Sequence, residues 1–159
     1  MSDIHVVDSK EHMLNPDDIF IVAAHEYTQG LDEIKSYAEQ AGVSPERLQY
    51  SIFLNEYSNP HLVRYRAGNT LFTITPFENR VGFVRSYNAD TAKNYINNVV
   101  EFIEAAYKLG FDVLMSQAHT EEMRKMLDIA EKRTNNPNIK TSFDPQTKWR
   151  VSVIGTLRG

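Results

Sequence analysis

An α/β fold built on one mixed sheet is predicted by three observations. Short extended runs follow one another over residues 62–66, 70–75 and 80–86, with turn-forming residues between them, as connected antiparallel strands require. A long amphipathic stretch over 90–109 then leads into an apolar run at 113–117, the spacing of a β-α-β unit. Finally, the chain has 159 residues, 42% apolar and 24% charged, with no linker, repeat or low-complexity run. Residues 1–159 therefore read as a single domain.

Taken in order, residues 4–7 form a short apolar strand. Asn15-Pro16-Asp17-Asp18 starts a helix: a cap, a proline at the first helical position, and acids facing the positive first turn. Ile19, Val22 and Ala23 keep helical spacing, and Gly30 ends the run. A second helix spans 31–41, with Leu31, Ile34, Tyr37 and Ala38 on one face and Gly42 beyond its end. Ser44-Pro45-Glu46 looks like another helix start, yet Leu48, Tyr50, Ile52 and Leu54 alternate with period two. Residues 45–57 stay open between helix and strand.

The three extended runs are separated by Ala67-Gly68-Asn69 and by residues 76–79. Asp90 is placed as the cap of the long helix, whose apolar face is Ile96, Val99, Val100, Ile103 and Tyr107, and Gly110 ends it. Residues 113–117 read as a buried strand. Thr120-Glu121-Glu122 opens a further helix, with Met123, Met126, Leu127 and Ala130 in register. A strand over 148–157 closes the chain.

Composition excludes several classes. The longest apolar stretch, Ile19 to Ala24, is far short of the roughly 20 residues of a bilayer span, so no membrane role is expected. The first ten residues are acidic and lack the apolar core of a signal peptide. No cysteine is present, so neither disulfides nor thiolate metal sites are available, and a reducing cytoplasm is the expected location. Seventeen basic against 21 acidic residues give a net charge of −4, which argues against a nucleic-acid partner.

The order of elements resembles the Gcn5-related N-acetyltransferase (GNAT) superfamily over nearly the whole chain, most clearly from Val81 to Arg133. The resemblance implies a central strand at 81–84, a cofactor helix at 90–109, the next strand at 113–117 and a helix at 121–133. It implies that the strands at 81–84 and 113–117 are adjacent and parallel. Its cofactor would be acetyl-CoA, with backbone N–H groups from Val84 through Arg85 to Ser86 polarising the thioester carbonyl.

The family's phosphate loop follows an Arg/Gln-x-x-Gly-x-Gly/Ala pattern, because small residues let backbone N–H groups approach a pyrophosphate. Residues 86–94 occupy that place here, as Ser-Tyr-Asn-Ala-Asp-Thr-Ala-Lys-Asn. Ala89 stands at the Arg/Gln position, and Ala92 and Asn94 replace the glycines. Asp90 puts a carboxylate where phosphates would dock, with Lys93 the cation available to offset it. The family's proton-donating tyrosine, about seven residues into the helix after the next strand, is matched by Leu127, which cannot transfer a proton. Ala92, Lys93 and Asn94, with Val84, Arg85 and Ser86, are the candidate cofactor residues.

Other groups have plainer roles open to them as well as chemical ones. His25-Glu26 lacks the second histidine of a zinc-protease motif, since Gln29 stands there, and no metal site is expected. His119 and Glu121 follow the 113–117 strand, at the sheet end where α/β ligands bind, and are the candidate catalytic base positions. Thr120-Glu121-Glu122 is equally an ordinary helix start. Arg64 and Arg66 share a strand face and, with Arg80 and Arg85, make a candidate basic patch against an exposed face of paired charges. Asn94, Asn97 and Asn98 fit solvent exposure or a polar contact surface. Tyr87, Tyr95 and Trp149 are aromatic anchors or core.

Two family signatures fail together, so the expected function is a non-catalytic binding or assembly protein on an acetyltransferase fold, without a cofactor. Its partner would be another protein or a second copy of the chain. In its brevity the chain is similar to acyltransferase-like proteins of tailed phages, which would place it in the host cytoplasm or the virion. The alternative is a CoA-dependent N-acyltransferase with an atypical acetyl-CoA site.

Overall fold

The computed structural model describes residues 3–6, 32–45, 47–48, 51, 54–55, 58–59, 61–78, 80–118, 120–136 and 138–155. The helix expected from Asn15 lies outside them. The elements are β1 (Asp3–Val6), α1 (Asp32–Ala41), β2 (Val63–Ala67), β3 (Thr70–Glu78), β4 (Val81–Asn88), α2 (Ala92–Lys108), β5 (Val113–Gln117), α3 (Glu121–Arg133), β6 (Lys140–Phe143) and β7 (Trp149–Val153). Among the described residues, seven strands form one sheet in the order β1-β2-β3-β4-β5-β7-β6. Every neighbouring pair is antiparallel except β4 and β5, which are parallel and joined through α2. The expected central pair is therefore present, and the fold is a mixed-sheet α/β one.

Alternation along the strands decides which face is covered. Tyr65, Ala67, Phe72, Ile74, Leu114 and Ile154 share one buried cluster with Tyr95, Val99, Phe102, Ile103 and Ala106 of α2. Phe72 and Phe102 are stacked at 4.2 Å, so the centre of β3 is locked to the middle of the helix. Tyr65 lies beside both rings and donates its hydroxyl hydrogen to Glu101 Oε2 at 3.0 Å. The apolar stripe of α2 is thus centred on Tyr95, Phe102 and Ala106 as well as Val99 and Ile103; Ile96, Val100 and Tyr107 lie at its margins.

Gly82 of β4 is buried against this core. A Cβ there would stand 2.3 Å from Ile74 Cγ2, so only glycine leaves room for the isoleucine.

On its outer half the sheet is tied to α3 by polar groups. Arg150, 3% exposed, donates through Nη2 to Asp128 Oδ1 and Glu131 Oε1, each at 2.7 Å. Glu131 also accepts from Ser152 Oγ and Thr141 Oγ1 at 2.7 Å. One carboxylate thereby joins α3 to both β6 and β7.

Several expectations need correction. The last strand, expected over 148–157, is β7, Trp149–Val153, and it is one half of a hairpin: β6 precedes it, and the turn between them includes Lys148 at φ 65. The sequence gives β6 no apolar alternation, because Lys140, Thr141 and Ser142 are exposed. β5 is buried only at Leu114 and is not a fully covered strand. Tyr37 does not join the apolar face of α1; it is 60% exposed, whereas Ala38 is buried. The described residues between 45 and 55 are helical, with Ser44 Oγ accepting from Arg47 N, so local capping prevails over the period-two pattern.

Candidate functional site

The site implied by the resemblance lies where β4 and β5 part. Their pairing covers Val81 to Phe83 against Val113 to Met115 and stops there. β4 continues to Asn88 alongside β3, and β5 continues to Gln117 alongside β7. Each strand follows its outer neighbour, so a wedge opens between them. Val84, Arg85 and Ser86 sit on the β4 side of that wedge, with Arg85 exposed and Val84 and Ser86 half-buried.

Beneath the wedge, the helix side is occupied. Tyr95, in the first turns of α2, is 3% exposed and its hydroxyl lies 3.0 Å from Ser86 Oγ. The same hydroxyl is 3.5 Å from Met123 Sδ, in the first turn of α3. Three elements, β4, α2 and α3, therefore converge on one phenol. Burial raises the Tyr95 pKa above its ordinary 10.0, opposed in part by the Ser86 hydrogen bond.

That shift has a measurable consequence. A raised folded value means that the unfolded tyrosine ionises first, so the stabilisation is complete below pH 10 and is lost as pH rises beyond it. In urea melts, the unaltered chain is expected to lose stability more steeply above about pH 10 than Tyr95→Phe, by up to about 1.4 kcal/mol per pH unit. Superimposable pH profiles would contradict this placement of the phenol.

The loop between β4 and α2 is short and tied backwards. Thr91, not Asp90, is the cap: its Oγ1 accepts from Asn94 N at 3.3 Å. Asp90 instead reaches the β2–β3 turn, where Oδ2 accepts from Asn69 N and Asn98 Nδ2, both at 2.8 Å. Asn98 Nδ2 donates to Thr70 Oγ1 at 2.9 Å, and Thr70 Oγ1 donates to Asn88 Oδ1 at 2.8 Å. Ala89 N donates to Asn69 O at 2.9 Å. Gly68 makes the turn possible, with φ +57 and no Cβ to meet Asp90 Oδ2 at 2.9 Å. Asn98 is thus a structural partner of the loop and not a solvent-facing residue.

Among the other candidates, Ala92, Lys93 and Asn94 are exposed in the first turn of α2. Glu121 is exposed in the first turn of α3 and ion-paired with Lys125 at 3.5 Å. Thr120 Oγ1 caps that helix by accepting from Met123 N at 3.1 Å. His119 lies outside the described residues. Leu127 packs against the core, as its register implied.

The basic patch is not formed as expected. Arg64 is 2% exposed, and Arg80 is paired with Asp112 at the β4–β5 end of the sheet. Only Arg85 of the four is exposed on a strand. Tyr87 is buried, and Trp149 is half-buried against Phe83 at 5.5 Å.

By sequence Tyr95 is an interface anchor or a core residue; it is core, and the group it joins carries no sequence signal. A serine two residues before the end of β4 and a methionine three residues into α3 carry no motif. Only the topology brings them together.

No protein-family profile matches the chain, and no curated protein matches it. Among solved structures it is similar to a crystal structure described as a "putative phosphinothricin N-acetyltransferase", at 15% identity, 96% coverage of both chains and a TM-score of 0.44.

Proposed function

We propose that this chain uses an acetyltransferase fold as a binding or assembly module, without acetyl-CoA chemistry, and that its partner is another protein or a second copy of itself. The Tyr95 bridge carries the reading. A thioester arm entering the wedge from the helix side would have to separate Tyr95 from Ser86 and Met123, opening a buried phenol. The phosphate end is equally ill-suited: the loop is tied to the β2–β3 turn, and the donors that hold Asp90 there are neutral amides. Under this reading, a phage-encoded chain would act in the host cytoplasm or the virion.

The competing reading, a CoA-dependent N-acyltransferase, draws on the stretch of β4 from Val84 to Ser86, which lies beyond its pairing with β5 and pairs with β3 alone, with His119 or Glu121 as base. Native mass spectrometry of the purified chain separates the two. The proposal predicts the mass of the chain, a multiple of it, or a protein complex. A coenzyme-sized adduct retained on the monomer would overturn it.

A further inference from the structure

At the other end of α2 from the wedge lies a cleft of about 210 Å³, between the helix C-terminus, residues 134–136 and the end of β7. Its inner wall is Ile103 and Ile154, both buried, beside the half-buried Tyr107. The opposite wall is held rigid. Thr134 Oγ1 donates to Glu131 O at 2.8 Å, Asn136 Nδ2 donates to Ile154 O at 2.7 Å, and Asn138 N donates to Asn136 Oδ1 at 3.0 Å. The cleft is therefore preformed, as small-molecule sites usually are.

Its rim carries opposite charges. Glu104 and Lys108 stand one turn apart on α2, a spacing at which such residues ordinarily pair. Glu121 and Lys125 do so on α3. Among the described residues, however, Glu104 and Lys108 make no ion pair with each other or with a third group. Asn135, across the mouth, makes no side-chain hydrogen bond to any of them either. An apolar wall under one anion, one cation and one amide suits a ligand with matching parts.

We propose that this cleft binds a small zwitterion with an apolar side chain, an α-amino acid of about the size of leucine. The side chain would lie against Ile103 and Ile154, the ammonium on Glu104, and the carboxylate on Lys108 and Asn135. The cleft, about 210 Å³, leaves room for such a molecule.

Calorimetry with L-leucine, 4-methylpentanoate and 3-methylbutylamine tests the assignment, the last two lacking the amine and the carboxylate respectively. L-leucine is expected to bind saturably with a Kd of about 1 mM or below, and each analogue about tenfold more weakly. Glu104→Gln should weaken L-leucine and the amine while sparing the acid; Lys108→Met should do the converse. Thermal melts of both variants establish that they remain folded. No saturation by L-leucine at about 10 mM would overturn the proposal, as would equal binding of all three probes or indifference to both substitutions.

Discussion

Phe72→Ala is expected to destabilise the chain by about 4 kcal/mol, the largest effect of any single truncation considered. Phe72 is 2% exposed and stacked on Phe102 at 4.2 Å with an interplanar angle of 7°. Removing it takes away the ring that joins β3 to α2 and leaves a cavity bounded by strand residues that the sheet ladder holds in place. The core cannot collapse freely onto the gap, so the loss of contacts adds to the transfer term. For a chain of this size the expected fall in Tm is roughly 10 °C. Phe77→Ala is the matched control: Phe77 is 57% exposed near the end of β3, and its loss should cost less than about 1 kcal/mol. Similar losses for the two variants would contradict the placement of the core.

Glu131→Ala should cost about 3 kcal/mol. It removes one of the two carboxylates on buried Arg150 and the acceptor shared by Ser152 and Thr141. The remaining carboxylate, Asp128, is 57% exposed and compensates the guanidinium poorly. Arg150 Nε is already buried without a partner, so the site has no spare acceptor. The double variant Glu131→Ala, Arg150→Met should therefore be more stable than Glu131→Ala alone, because the uncompensated cation is gone. Simple additivity in chemical denaturation would contradict a coupled pair.

The fold was legible where residue chemistry acts locally. Turn residues between 62 and 86 marked the antiparallel strands, and the long periodic stretch before residue 113 marked the parallel crossover. β6 was not legible, since an exposed edge strand needs no apolar alternation and Lys140, Thr141 and Ser142 provide none. Asp90 misled for a related reason. As an acid before a helix it has the composition of a cap, but Thr91 caps while Asp90 meets donors twenty-one and eight residues away. The candidate site was legible by position only. That Tyr95 fills the space under the wedge depends on Ser86 and Met123, which lie nine and twenty-eight residues from it in sequence.

Calorimetric titration of the unaltered chain with acetyl-CoA shows whether the space beneath the β4–β5 wedge, where Tyr95 meets Ser86 and Met123, still admits a thioester. The prediction is no saturable heat up to about 1 mM ligand. A saturable interaction with a Kd in the micromolar range, abolished by Lys93→Glu, would contradict it.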